Sequence, residues 1–321
     1  MATTVLQIGG LPPAVADAVT AKYDVLVLPT DGGRAEFLTQ HAASVKAIVD
    51  AGQVPVDAEL IGALPNLGAI LHYGDGHETV DVDAASRLGI GVSNTPDVLT
   101  DTVADTAVGL MLMTMRRLSA SERYVRAGRW PIDGPYPLAQ DVTGSRVGIL
   151  GLGRIGSAIA HRLTAFDCAI AYHNRHELPG CGYEYASSPV ELANSVDVLV
   201  VATSGAKDAP ALVSRDVLEA LGPHGYLVNI ARGSLVDEQA LIELLTAGRL
   251  AGAGLDVVAG EPVVPQQLLE MDNVVVLPHV GSATALTRAA MTALVVRNLD
   301  EYLTHGALVS AVVAPTRQTG S

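Results

Sequence analysis

Three polar residues stand out because each follows an aliphatic run late in the chain. They are Arg232 in Asn229-Ile230-Ala231-Arg232-Gly233, Glu261 in Gly260-Glu261-Pro262, and His279 in Leu277-Pro278-His279-Val280-Gly281. An arginine at the carboxyl end of a strand can grip a planar carboxylate and polarise a carbonyl beside it. A histidine next to a carboxylate has its protonated form favoured, and it can pass a proton to an oxygen. Hydride transfer to a carbonyl needs both actions: the carbonyl must be held, and its oxygen must receive a proton. Singly, each residue has a plainer reading, as a helix-cap partner, a surface acid and a hydrogen-bonded structural histidine. Their clustering past the strand ends of one sheet favours the chemical reading.

The elements that must position them begin with a glycine turn. Val147 to Leu150 is an aliphatic run that ends in Gly151-Leu152-Gly153-Arg154-Ile155-Gly156, and Ser157 to Leu163 then reads as a helix. In a strand–turn–helix of this kind Gly151 makes the turn, Gly153 lets a pyrophosphate approach the backbone, and Gly156 lets helix and strand pack closely. The second strand, Ala169 to His173, ends at Asn174-Arg175. An acidic residue at the Asn174 position would bind the adenosine ribose hydroxyls of NAD. Asparagine removes the charge that would repel a 2′-phosphate, and Arg175 can pair with one, unless it is a solvated loop arginine. The expected cofactor is therefore NADP(H), with NAD a weaker second. Further strands at 196–202, 225–230, 252–257 and 274–277 give six in a doubly wound sheet.

The first hundred residues alternate in the same way. Strands are predicted at 4–8, 25–28, 47–49, 69–71 and 90–94, with helices at 12–21 and 57–64, which implies a parallel sheet covered by helices. A long helix over about 101–117 buries Val103, Ala107, Leu110, Met111 and Met115. Gly128 to Pro137 is a Pro/Gly-rich loop carrying Trp130 and Tyr136, either a linker or a lid. A terminal helix over about 283–302 carries Leu286, Ala290, Leu294 and Leu303 on one side and can pack back on the first unit. Only the tail after Ala314 reads as loose.

At 321 residues the chain suits two domains. Hydrophobic residues at 49% and charged residues at 17% describe a packed globule, not a disordered chain. No apolar run reaches the roughly 18 residues of a membrane span, and no basic residue precedes Lys22, as a secretory leader would require. A net charge of −14 with no basic run argues against a nucleic-acid partner. Cys168 and Cys181, in no C-x-x-C pair, suit a cytoplasmic protein without structural zinc or any other metal.

The motifs resemble those of the D-2-hydroxyacid dehydrogenase family, in its NADP-dependent glyoxylate/hydroxypyruvate and hydroxyphenylpyruvate reductase branch. Asn94-Thr95-Pro96-Asp97-Val98-Leu99-Thr100 matches that branch, and GLGRIG, NIARGSLVDE, GAGLDV, EP and LPHVGSAT follow in family order. The resemblance implies two Rossmann-like α/β domains with parallel sheets. The substrate domain is discontinuous (1–100 plus 286–321) and the nucleotide domain spans 101–285, through which a homodimer forms. It implies reduction of a small 2-oxo acid to the D-2-hydroxy acid, with Arg232 on the carboxylate and carbonyl and His279 as acid/base oriented by Glu261. Asp256 is implied to hold the nicotinamide carboxamide. The cofactor set expected is Gly151, Gly153, Arg154, Ile155, Gly156, Asn174, Arg175, Thr203, Ile230, Asp256 and Ser282.

The substrate loop departs from the family pattern. It reads Gly74-Asp75-Gly76-His77, where the family has a small apolar residue in place of Asp75. A carboxylate there would repel a 2-oxo acid unless it turns outward or pairs, with His72 or His77 as partners to hand. The alternative is an altered substrate, such as an imine or another cationic carbonyl compound attracted to Asp75. A nucleotide-sensing corepressor is a more remote alternative, and the short tail offers no motif for one.

Overall fold

In a computed structural model, residues 4–205 and 210–316 are described, so most of the tail expected to be loose lies outside the described residues. The chain forms two compact units, Met1–Leu99 with Ala283–Ser321, and Thr100–Ser282.

Five strands come from the start of the chain: β1 (Thr4–Ile8), β2 (Asp24–Val27), β3 (Val45–Asp50), β4 (Ala69–His72) and β5 (Gly91–Ser93). Seven more follow in the second unit: β6 (Arg146–Leu150), β7 (Ala169–His173), β8 (Glu184–Tyr185), β9 (Val198–Val201), β10 (Tyr226–Asn229), β11 (Gly252–Leu255) and β12 (Val274–Val276). A last strand, β13 (Ala311–Val313), returns to the first unit.

The first sheet has the order β13-β5-β4-β3-β1-β2. It is parallel except for β13, which pairs antiparallel with β5. Leu6, Ile48 and Ile70 are fully buried at its centre. The helix Ala285–His305 belongs to this unit, as expected, but the face it buries differs from the one its leucines suggest. Thr287, Met291, Val295, Asn298, Leu299 and Tyr302 are buried, whereas Leu286 is 85% exposed. Asn298 and Tyr302 take the inner face because each has an interior task. The Tyr302 hydroxyl occupies the space where a side chain at Gly68 would begin, and Asn298 accepts from the N–H groups of Val309 and Ser310.

The second sheet has the order β12-β11-β10-β9-β6-β7-β8 and is parallel throughout, one strand more than expected because of the two-residue β8. Its central strands β9 and β10 are buried at every residue, as a sheet covered on both faces requires. Of the covering helices, Thr100–Met115 buries Val103, Ala107, Leu110, Met111 and Met115, the expected stripe. Arg162, in helix Arg154–Leu163, ties the two helices together through Asp101 and Asp105. The Pro/Gly-rich stretch is not wholly a loop: Trp130–Asp133 makes a short helix with proline in its first turn.

Register matters most for function. His173, Leu150, Val201, Asn229, Leu255 and Val276 lie side by side, in one row across six strands. Whatever follows those residues emerges along one edge of the sheet. The strand order reverses between β6 and β9, where an open parallel sheet opens a crevice for a ligand.

Candidate active site

The glycine turn sits at that reversal. Gly151 has φ +98°, a conformation that a side chain would strain, and Thr203 after β9 fills the space beside it. A side chain at Gly156 would begin 2.1 Å from the Gly151 carbonyl oxygen, so the helix can start here only with glycine. Among the described residues nothing lies within contact of a side chain that Gly153 would carry, and this residue caps the helix Arg154–Leu163. Backbone donors at a helix start, with nothing covering the glycine between them, fit a pyrophosphate. Arg154 is exposed and Ile155 half-buried in the helix's first turn.

Beside this turn, Asn174 places its side-chain oxygen 2.7 Å from the Leu152 N–H. The residue standing where an acid would bind a ribose is thus also a brace for the glycine turn. Arg175 is exposed, and none of its polar atoms has a partner among the described residues. An uncommitted guanidinium next to an uncharged amide fits a 2′-phosphate.

Farther along the row, Asn229 shapes the turn that carries Arg232. It is 1% exposed; its side-chain oxygen accepts from Ala231 N–H at 3.0 Å and its amide donates to the Arg232 carbonyl at 2.9 Å. Gly233 then packs so tightly that a side chain would meet the Val258 carbonyl within 2.1 Å. That contact sets the Arg232 turn against the loop bearing Glu261. Arg232 itself is half-buried, and its guanidinium donates to the Ala231 carbonyl at 2.8 Å. Ile230 is buried below it, at 7% exposure.

Glu261 and His279 meet directly. His279 Nδ1 lies 2.8 Å from Glu261 Oε2, and Glu261 Oε1 accepts from the Val258 N–H at 3.2 Å. An ionised carboxylate only accepts, so Nδ1 carries the hydrogen and Nε2 is left for chemistry. His279 has φ +54°, rare for a residue with a side chain. Asp256, 2% exposed, holds that conformation: its carboxylate accepts from Val280 N–H at 2.7 Å and Gly281 N–H at 2.8 Å. Its own carbonyl accepts from the His279 N–H at 2.9 Å. Ser282 follows, half-buried. Sequence reasoning singled out Asp256 for the cofactor and did not see this bracing, nor the parts of Asn229 and Gly233.

The loop Gly74-Asp75-Gly76 belongs to the first unit. The Thr95 N–H donates to the Gly74 carbonyl at 2.8 Å, and the Asn94 amide donates to the Asp75 carbonyl at 2.6 Å. Peptide groups are planar and trans, so the N–H groups of Asp75 and Gly76 point away from Asn94 and Thr95. The expected partners of Asp75 are not bonded to it through Nδ1. His72 Nδ1 pairs with buried Asp50 at 2.7 Å, and His77 Nδ1 is buried without a partner among the described residues.

Residues 108–281 match the family described as D-isomer specific 2-hydroxyacid dehydrogenase, NAD binding domain. The chain belongs to this family. It is 46% identical over 284 residues to the hydroxyphenylpyruvate reductase of Plectranthus scutellarioides, covering 88% of this chain and 90% of that one. It is 45% identical over 292 residues to a glyoxylate/hydroxypyruvate reductase of Arabidopsis thaliana, covering 91% and 93%. Among solved structures it resembles an NADPH-dependent glyoxylate/hydroxypyruvate reductase of Sinorhizobium meliloti, in complex with NADP and malonate. That likeness has a TM-score of 0.92 at 41% identity and covers all of both chains. As a 2-hydroxyacid dehydrogenase the protein is an NAD(P)-dependent oxidoreductase. Among the described residues, no group of side chains is arranged to hold a metal and no helix is long and apolar enough to cross a membrane.

Proposed function

We propose that the protein reduces a small 2-oxo acid of the glyoxylate, hydroxypyruvate or arylpyruvate type to the D-2-hydroxy acid, with NADPH as reductant. The observation that carries this is the His279–Glu261 pair, fixed on the same sheet edge as Arg232 and the glycine turn. Bound NADPH supplies the hydride to the carbonyl carbon. Arg232 pairs with the substrate carboxylate and polarises the carbonyl oxygen. His279 Nε2 gives that oxygen its proton, and Glu261 stabilises the imidazolium before transfer. Gly151, Gly153 and Gly156 with Arg154 and Ile155 take the pyrophosphate, Asn174 and Arg175 the adenosine end, and Thr203, Ile230, Asp256 and Ser282 the nicotinamide side. Gly74, Asp75 and Gly76 form the substrate loop, the N–H groups of Asp75 and Gly76 serving as carboxylate donors.

The test is NADPH oxidation with glyoxylate, hydroxypyruvate and phenylpyruvate, each also with NADH. Turnover far above one event per minute with at least one acid, faster with NADPH, is expected. Tight NADPH binding with no turnover on any of the three would sink the assignment and move the search to imines.

The homodimer belongs to the same proposal. Trp130, Ile132 and Leu138, from one short segment of the nucleotide unit, are 60%, 81% and 97% exposed, apolar side chains that a partner copy would cover. Sedimentation at micromolar concentration should give twice the 33.2 kDa chain mass, and Ile132→Asp with Leu138→Asp should give the single mass. A monomeric parent protein would contradict this. The two free thiols, Cys168 and Cys181, accord with a cytoplasmic location, which cell fractionation would check.

A further inference from the structure

The segment between β7 and β8 starts with Asn174 and Arg175, and two tyrosines from the flanking strands hold its first turn at both ends. Tyr172 is fully buried, and its hydroxyl oxygen accepts from the Leu178 N–H at 2.8 Å. The same hydroxyl lies 3.4 Å from the Leu178 carbonyl, to which it donates. Tyr185 donates to the Asn174 carbonyl at 3.2 Å. The two rings lie against each other, with centroids 5.4 Å apart, and His173 stacks on Tyr185 at 6.1 Å. His173 is itself fixed, its Nδ1 bonded to the Ala186 carbonyl at 2.8 Å. Burial pushes the Tyr172 phenol up, so its proton stays in place.

Leu178 is itself exposed, so the tyrosine bonds are not a by-product of burying that residue. What they fix is the path of Asn174 to Leu178, a five-residue stretch that carries Arg175 at its exposed tip. A loop ordered before its ligand arrives loses less entropy on binding, and that gain falls only on ligands that touch the loop.

We propose that Tyr172 and Tyr185 are positioning residues for cofactor selection, holding Asn174–Leu178 so that Arg175 meets a 2′-phosphate. This rests on the reading of Asn174 and Arg175 as the 2′-phosphate side of the cofactor site. It separates two tasks in one stretch: Arg175 supplies charge, and the tyrosine hydroxyls supply its placement.

The experiment is calorimetric titration of the full-length protein with adenosine 2′,5′-bisphosphate and with 5′-AMP, which differ only in the 2′-phosphate. Tyr172→Phe and Tyr185→Phe should each weaken the bisphosphate about 3–10-fold, the size of one hydrogen bond, and leave 5′-AMP within twofold. Arg175→Ala should weaken it more than either. Equal weakening of both nucleotides by the tyrosine variants would mean general loosening and would overturn the proposal. So would unchanged selectivity in both tyrosine variants beside a clear loss in Arg175→Ala, which leaves the phosphate site standing. If Arg175→Ala also keeps full selectivity, the phosphate-site reading itself fails and the proposal falls with it. Tyr185 is only half-buried, so its variant keeps the test available if Tyr172→Phe folds poorly.

Discussion

Replacing His279 with asparagine is expected to lower kcat by about 10²–10⁴-fold, the range that a positioned general acid contributes. NADPH affinity should stay within twofold of the parent protein. The asymmetry follows from the geometry. His279 Nδ1 is committed to Glu261, so the ring's only free nitrogen is the one that serves the substrate oxygen. Asparagine also tolerates the left-handed backbone that His279 adopts, so the turn can survive the substitution. Glu261→Gln should cost less, about 10–100-fold. A glutamine oxygen can still accept from Nδ1 and hold the ring, but it offers no charge to stabilise the imidazolium. Steady-state NADPH oxidation and a fluorescence binding titration, run on the same preparations, check both parts. A fall below tenfold for His279→Asn would show that the proton comes from elsewhere, for instance from water.

The residues proposed for this chemistry were legible because each comes after a strand of aliphatic residues, and a parallel sheet aligns such ends automatically. The glycine turn was legible for a related reason. Its three glycines answer to local backbone demands, a positive φ at Gly151 and a 2.1 Å approach at Gly156, that any sequence making this turn must meet. Braces that bind at a distance were not legible. Asp256 and Gly281 are 25 residues apart, and nothing in the composition of either stretch announces that one caps the other. The same holds for Gly233 against Val258, and for His72, whose partner Asp50 lies one strand away. The terminal helix misled for a further reason. Counting leucines ranks faces by hydrophobicity, while Asn298 and Tyr302 are inside because their polar atoms have specific interior partners or places. The short helix at Trp130 was masked by its own prolines and glycines, which mark loops and helix starts alike.

Asp256→Asn carries the second large effect, and it acts through position rather than through contact with reacting atoms. The carboxylate receives two backbone N–H groups at 2.7 and 2.8 Å while only 2% exposed. Asparagine keeps one acceptor oxygen and turns an NH₂ group toward the other N–H, leaving one buried donor unmet at a cost of about 1–3 kcal/mol. For a chain of 321 residues, whose unfolding entropy is about 2.1 cal/mol/K per residue, that lowers the melting temperature by roughly 1.5–4.5 °C. The strained φ of +54° at His279 depends on those two bonds, so the turn should relax and the imidazole leave its place beside Glu261. A misplacement of about 1 Å costs about 100-fold in rate, so kcat should fall by at least tenfold. The contrast with His279→Asn makes the argument testable, because that variant should lose more activity with little change in melting. Thermal melts and kcat on both proteins separate the two roles. If Asp256→Asn melted like the parent protein but lost activity, the bracing of the His279 turn would be ruled out, and the loss would belong to the nicotinamide side alone.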